Sequence, residues 1–172
     1  MNQFKNRRSF IFNLELALNN LATYQSSGAI IFIDLDGFKK INDTLGHLAG
    51  DKVLKLIAKR LLIIENEFNS NALELNVARL GGDEFVILIE QKTVKSGLEV
   101  ILEIAQQVIT QCAAPLPGQL QNTDLSASLG ISLFPQHGTD VTLLLNNADK
   151  AMYHSKRKGK NCYTFYQTSK AS

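Results

Sequence analysis

Five apolar residues in a row, Phe85-Val86-Ile87-Leu88-Ile89, follow Gly81-Gly82-Asp83-Glu84 and stop at Glu90. A run this short, without polar alternation, reads as a strand buried on both faces, so the chain must build a sheet with cover on either side. Leu73 to Leu80 precedes it as a second strand-like run. Gly81-Gly82 supplies the turn between them, because glycine takes positive φ without a Cβ clash. That explains the glycines. It does not explain Asp83 and Glu84, because adjacent carboxylates repel unless cations or protons neutralise them. Taken alone, the stretch has two readings: a magnesium site at a hairpin tip, or an exposed acidic turn.

The remaining segments supply the cover. Ile11, Leu14, Leu18 and Leu21 recur at helical spacing and predict an amphipathic helix from about Arg8 to Tyr24, ended by Ser26-Ser27-Gly28. Ala29-Ile30-Ile31-Phe32-Ile33 reads as a central strand, and Asp34 and Asp36 follow it at once. Phe38 to Asp43 predicts a short helix stopped by Gly46. Gly50-Asp51 opens a longer one, with Val53, Leu54, Ile57, Leu61 and Leu62 on one face. Phe68 to Asn71 is a loop. Thr93 to Cys112 repeats the helical pattern through Leu98, Ile101, Ala105, Val108 and Cys112. Pro115, Pro117 and Gly118 mark a loop from Ala113 to Thr123. Leu125 to Phe134 reads as a strand whose Gly130 implies a bulge or a close backbone approach. After a turn at Pro135 to Gly138, Asp140 caps a helix carrying Leu144, Ala148, Ala151 and Met152 and ending at Lys156-Arg157-Lys158-Gly159. Cys162 to Tyr166 is a last strand. Crossover helices and one hairpin in this order predict an α/β fold with a central mixed sheet covered by helices.

Bulk properties narrow the function. The 172 residues suffice for one domain with a sizeable core, and 45% hydrophobic with 20% charged residues fits a soluble globular domain. A net charge of +2 gives no global reason to expect nucleic acid or a membrane surface as partner. No apolar run is long enough to span a bilayer, and no signal peptide is visible. Cys112 and Cys162, far apart and in no metal-ligand spacing, read as reduced thiols in a cytoplasmic setting.

Asp34 directly after a buried strand must be hydrated, paired or bound to metal. If its strand neighbours Phe85 to Ile89, then Asp34, Asp83 and Glu84 share one sheet edge and form an oxygen-rich site for a hard cation. A helix-capping or turn role for Asp34 is the local alternative.

At this point the residues carry a resemblance. Asp34-Leu35-Asp36-Gly37-Phe38-Lys39-Lys40-Ile41-Asn42-Asp43, Gly46-His47, Gly50-Asp51 and Gly81-Gly82-Asp83-Glu84-Phe85 stand in the order found in the GGDEF family, the diguanylate cyclases of bacteria. The similarity continues through Ser128-Leu129-Gly130-Ile131, Phe134-Pro135 and Ala148-Asp149-Lys150-Ala151-Met152-Tyr153, and covers the chain from Asn6 to about Tyr166. It implies a mixed, mainly antiparallel sheet surrounded by helices, related to the palm of nucleotidyl cyclases. It also implies condensation of two GTP into cyclic di-GMP with release of two diphosphates, in a transient two-fold homodimer.

Carried over by position, Asp34 and Asp83 would bind magnesium, two ions per active site with Mn²⁺ as the substitute, and the Leu35 carbonyl would be a further ligand. Asp83 and Glu84 are the catalytic acids; Glu84 would deprotonate the attacking 3′-hydroxyl or join the metal shell. Asn42 and Asp51 would read guanine, since a carboxylate accepts from N1–H and the 2-amino group and an amide adds a donor or an acceptor. Asp51 also suits the N-cap of its helix. His47 would lie by the same pocket, or be a surface side chain after a helix stop. Phe38 and Lys39 would wrap the phosphates through backbone N–H groups. Lys156 and Lys160 would grip terminal phosphates, or simply favour a helix C-terminus. At Lys160 the family often has arginine, and lysine loses the bidentate fork. Arg79 would be a cross-strand residue, or a phosphate or dimer contact.

Two departures stand out. The family's Arg-x-x-Asp product-inhibition site falls on Ala72 and Leu75 here, so feedback binding of cyclic di-GMP through it is not expected. The segment Asp-x-Leu-Thr-Gly-Leu usual before Asn-Arg-Arg is missing, so residues 1–172 read as a single GGDEF-type domain truncated at its N-terminal edge. The resemblance further implies a larger parent protein, membrane-anchored or not, with a regulatory sensor domain and an EAL domain as a further candidate. The alternative function is a catalytically inactive GTP-binding regulatory module of such a protein. Another nucleotide specificity is a second rival, which the acid at Asp51 disfavours.

Overall fold

The central strand is built from residues that no single-faced sheet could use. In the computed structural model, which describes residues 5–24, 26–92 and 97–168, Ala29, Ile30, Ile31, Phe32 and Ile33 are all buried. Alternation sends Ala29, Ile31, Ile33 and Leu35 to one face of the sheet and Ile30 and Phe32 to the other. The strands are β1 (Lys5–Asn6), β2 (Ser27–Asp36), β3 (Leu73–Gly81), β4 (Glu84–Gln91), β5 (Ser126–Phe134) and β6 (Tyr163–Phe165). The helices are α1 (Arg7–Tyr24), α2 (Phe38–Leu45), α3 (His47–Phe68), α4 (Leu98–Ala113) and α5 (Val141–Arg157). Among the described residues the strands form one sheet in the order β1-β3-β4-β2-β5-β6. The four long strands pair antiparallel, and the short edge strands β1 and β6 run parallel to their neighbours. The expected mixed, mainly antiparallel sheet with helical cover is therefore the observed one.

Three layers result. Val53, Ile57 and Leu61 of α3 and Ile104 and Val108 of α4 pack on the first face, and Phe10 and Leu14 of α1 with Leu144, Ala148 and Met152 of α5 pack on the second. Each of these side chains larger than alanine, taken fully out of water, contributes about 1.5–3 kcal/mol. The α5 stripe is as expected, and Asp140 caps this helix, its Oδ1 accepting from Leu143 N at 2.9 Å. The α1 stripe is rotated: Phe10, Leu14 and Ala17 are buried, whereas Ile11 is only half-buried. The outer edge of β3, which β1 covers for only two residues, is closed by side chains instead. Val77 N donates to Glu65 Oε2 at 2.7 Å, and Leu75 N to Asn69 Oδ1 at 2.6 Å. These bonds satisfy donors that would otherwise template another strand.

Several boundaries differ from expectation. β2 starts at Ser27 and continues through Asp34 to Asp36, because β5 pairs with it as far as Asp36↔Ser126. Asp34 therefore lies inside a strand, not after one. α3 starts at His47, with Gly46 at φ 83° ending α2 and preceding α3. Asp51 is thus in the second turn of α3 and is not its N-cap. α4 starts at Leu98; the expected start at Thr93 lies outside the described residues. The loop after α4 holds one 3₁₀ turn, Gly118–Leu120.

Gly130 shows a close approach rather than a bulge. A Cβ there would lie 2.0 Å from Ala148 O and 2.1 Å from Met152 N, so the α5 backbone rests directly on β5.

Candidate active site

β2 and β4 bring two of the acids into register. Asp34 pairs with Glu84 across one side of β2 and with Ser128 across the other. Gly82 and Asp83 make the two-residue turn between β3 and β4, with Gly82 at φ 52°. Leu35 N reaches the carbonyl of Asp83 at 3.3 Å, which ties the hairpin tip to β2. Arg79 folds over the same tip, Nε and Nη2 donating to Gly82 O at 2.9 and 2.6 Å. It clamps the turn while pairing across to Phe85 of β4. Asp34, Asp83 and Glu84 thus gather at one end of the sheet, as the sequence predicts.

The charges there are mutually perturbed. Burial pushes the Glu84 carboxyl above its ordinary range, and Asp34, Asp83 and Asp149 push it further. Asp34 is also raised, first by burial; the hydrogen bond and charge of Lys156 oppose that, while Asp83 and Asp36 add to it. Lys156 Nζ stands 2.8 Å from Asp34 Oδ1. Burial alone would lower the Lys156 ammonium, but its bond to Asp34 and the surrounding acids raise it. A lysine from the last turn of α5 therefore supplies the positive charge that the acids require.

The donor set fits a hard divalent cation in chemistry: carboxylate oxygens from Asp34, Asp83 and Glu84 at one end of the sheet, of which burial and neighbouring charge raise the pKa of Asp34 and Glu84. Among the described residues no three His, Cys, Asp or Glu side chains are gathered tightly enough to hold a metal ion by themselves. That is the usual situation for magnesium, which takes one or two carboxylates and completes its shell with substrate phosphates and water.

α2 follows β2 after one residue, Gly37, so its N-terminus opens at the same sheet edge. Ile41 N is the first to donate back, to Gly37 O at 3.2 Å, and no side chain caps this end. The N–H groups of Phe38, Lys39 and Lys40 are free of helical partners. Phe38 is buried and Lys39 exposed. Asn42, half-buried, and His47 and Asp51, both exposed, lie about the corner between α2 and α3. Lys160 stands at φ 66° in the loop after α5, and the next residue, Asn161, donates its N–H to Asp36 Oδ2 at 3.4 Å.

Asp36 had no assigned role in the sequence. It is buried and accepts from Ser128 Oγ at 2.8 Å and Ser126 Oγ at 3.4 Å as well as from Asn161 N. It ties the loop after α5, at Asn161, to β2 and β5. The serines at alternate positions of β5 are its only sequence trace. A cleft of about 870 Å³ opens at the opposite end of the sheet beside Gly28, Gln91 and Phe134 and contains none of these acids. Convergent charge, rather than cleft size, locates the candidate site.

Carboxylates at one end of a mainly antiparallel sheet, beside a lysine and the uncapped start of a helix, make up the candidate site. The model of the family "Diguanylate cyclase, GGDEF domain" matches residues 1–162, and the chain belongs to that family. It is 36% identical over 169 residues to the bifunctional diguanylate cyclase/cyclic di-GMP phosphodiesterase MucR of Pseudomonas aeruginosa, covering 98% of this chain and 23% of MucR. It is 40% identical over 158 residues to the diguanylate cyclase TpbB of the same species, covering 90% of this chain and 34% of TpbB. The chain thus spans 23% and 34% of the length of these two relatives. The crystal structure of the GGDEF domain of TpbB superposes with a TM-score of 0.82 at 35% identity, covering 98% of this chain and all of that one. Among the described residues no helix is long and apolar enough to cross a membrane.

Proposed function

We propose that this domain is a diguanylate cyclase, joining two GTP molecules into cyclic di-GMP with release of two diphosphates. The observation that carries the reading is the Asp34–Glu84 register, with Asp83 at the adjoining turn and Lys156 against Asp34. The 3′-oxygen of one GTP attacks the α-phosphorus of the other, the bond to the diphosphate breaks, and the second, identical step closes the ring. Each subunit of a two-fold homodimer presents one GTP, so neither subunit completes the reaction alone.

Asp34, Asp83 and the Leu35 carbonyl hold the divalent cation, Mg²⁺ with Mn²⁺ as a substitute. When bound, the cation neutralises phosphate charge and lowers the pKa of the attacking hydroxyl. Glu84 accepts the proton of the 3′-hydroxyl; its raised pKa makes it a stronger base than an ordinary carboxylate. The open amides of Phe38 and Lys39 cradle phosphate oxygens at the start of α2, with the Lys39 ammonium adding charge. Lys156, which neutralises Asp34 in the free protein, turns to the phosphates together with Lys160. Asn42 and Asp51 read the guanine edge, and His47 borders that pocket. A longer parent protein supplies the regulatory sensor domain and, by analogy with bifunctional relatives, an EAL domain; the cyclase domain itself works in the cytoplasm.

The test is diphosphate release from GTP and Mg²⁺ by the purified protein over a range of protein concentrations. The rate per subunit should rise with concentration, and Glu84→Gln should lose about a hundredfold in rate or more while retaining GTP binding. A dimeric wild-type protein that binds GTP without turnover would sink the enzyme reading and leave a GTP-binding regulatory module.

A further inference from the structure

Asn42 carries an orphan. Among the described residues its Oδ1 is one of two buried side-chain polar atoms without a hydrogen-bond partner. Burying an amide oxygen without a donor is unfavourable, so the placement needs a cause. That cause is Gly50, in the first turns of α3. A Cβ at Gly50 would fall 1.9 Å from Asn42 Oδ1, 2.9 Å from its Cγ and 3.2 Å from Phe38 Cζ. The Asn42 carbonyl therefore lies in the space a side chain at Gly50 would fill. Glycine inside a helix is unfavourable relative to alanine, and here the missing methyl is what lets the two helices meet at the amide.

The consequence is chemical. An asparagine free to rotate can offer either a donor or an acceptor. With Oδ1 pressed against Gly50, only the Nδ2 amide remains on the open side; it makes no hydrogen bond among the described residues and is not buried. Asp51, the next residue after Gly50, is exposed and can only accept when ionised.

We propose that Gly50 is a positioning residue for base selection: it fixes the Asn42 amide so that the pocket presents a donor from Asn42 and an acceptor from Asp51. This deepens the guanine reading given above and rests on it. The pattern matches a purine with a carbonyl at position 6 and an N–H at position 1. It mismatches adenine, whose 6-amino group would meet the Asn42 donor. Gly50 touches no substrate; it acts through Asn42.

The experiment measures equilibrium binding of GTP, ITP and ATP with Ca²⁺ in place of Mg²⁺, so that turnover plays no part. ITP keeps the 6-oxo group and N1–H but lacks the 2-amino group. Gly50→Ala should weaken GTP and ITP by the same factor, about tenfold for one lost hydrogen bond, and leave ATP binding unchanged, so that selectivity shrinks. A merely structural defect would weaken all three alike. The control is the Asn42→Ala background, where no amide remains to displace: adding Gly50→Ala there should cost nothing further, and this comparison also reveals any folding defect. Wild-type binding of GTP by Gly50→Ala, or an equal extra loss in the Asn42→Ala background, overturns the role of Gly50 alone. A wild-type protein that binds ATP as well as GTP overturns the guanine reading and this inference with it.

Discussion

Adding one methyl group at Gly130 should dislodge α5. Gly130 lies mid-strand in β5, paired with Phe32 of β2 on one side and Thr164 of β6 on the other, so it cannot move sideways. Its Cβ would meet Ala148 O at 2.0 Å, Met152 N at 2.1 Å and Ala151 C at 2.8 Å. All three are backbone atoms, and no rotamer change relieves them. Restoring an ordinary 3.4 Å contact from 2.0 Å needs α5 to retreat by 1.4 Å (3.4 − 2.0). A radial gap of that size forfeits half or more of the dispersion energy beneath Leu144, Ala148 and Met152. Overpacking in cores costs about 1–3 kcal/mol, and a backbone clash belongs at the upper end, so Gly130→Ala should cost about 3 kcal/mol. For a domain of this size that is a fall in Tm of roughly 6–12 °C. Urea unfolding is the assay, with the midpoint lowered and the slope unchanged. Gly97→Ala is the control, because a Cβ there meets nothing within 4 Å. A loss below about 1 kcal/mol for Gly130→Ala would refute the contact reasoning. The variant should also bind GTP more weakly, since α5 carries Lys156 to Asp34.

Lys156→Met removes the ammonium 2.8 Å from Asp34. The pair is partly exposed, so screening limits the direct loss to about 1 kcal/mol. The Asp34 carboxyl, already raised by burial, should rise further. A carboxylate whose folded pKa exceeds its ordinary 3.8 favours folding below that value and loses the benefit as pH climbs through the folded pKa. The variant should therefore lose more stability at neutral pH than at about pH 4, by urea midpoints; equal losses would contradict this. His137 gives the opposite slope. Burial lowers its imidazole from 6.5, and its Nδ1 accepts from Leu133 N at 2.9 Å. The unfolded chain takes up the proton first, so stability is full above 6.5 and declines as pH falls toward the folded pKa. NMR titration of the His137 ring should give a midpoint below 6.5, and a midpoint at or above 6.5 would defeat the assignment.

Much of the architecture was legible because its causes are local. The continuous apolar run of β4, the hairpin glycines, the Asp140 cap and the α5 stripe each follow from neighbours a few residues apart. Their placement of Asp34, Asp83 and Glu84 on one edge followed from a single assumption, that β2 and β4 pair. The errors were also local in origin. Gly50-Asp51 looks like a helix start, yet Gly46 at φ 83° begins α3 a turn earlier. Ile11 looks like part of the buried stripe of α1, yet it is Phe10, Leu14 and Ala17 that are buried while Ile11 is half-buried.

By itself, then, the sequence determined the periodicities, the turns, the inventory of acids and the family to which their order belongs. Tertiary structure alone decided which groups answer one another. Lys156 neutralises Asp34 from the far end of the chain, Asp36 holds the loop that carries Lys160, and Gly50 gives its missing side chain to Asn42. Hydrophobic pattern specifies which face of an element is buried, because burial is non-directional and sums over many residues. A hydrogen bond or a steric fit is directional and depends on two atoms meeting within a fraction of an ångström, and that meeting exists only after the layers have packed.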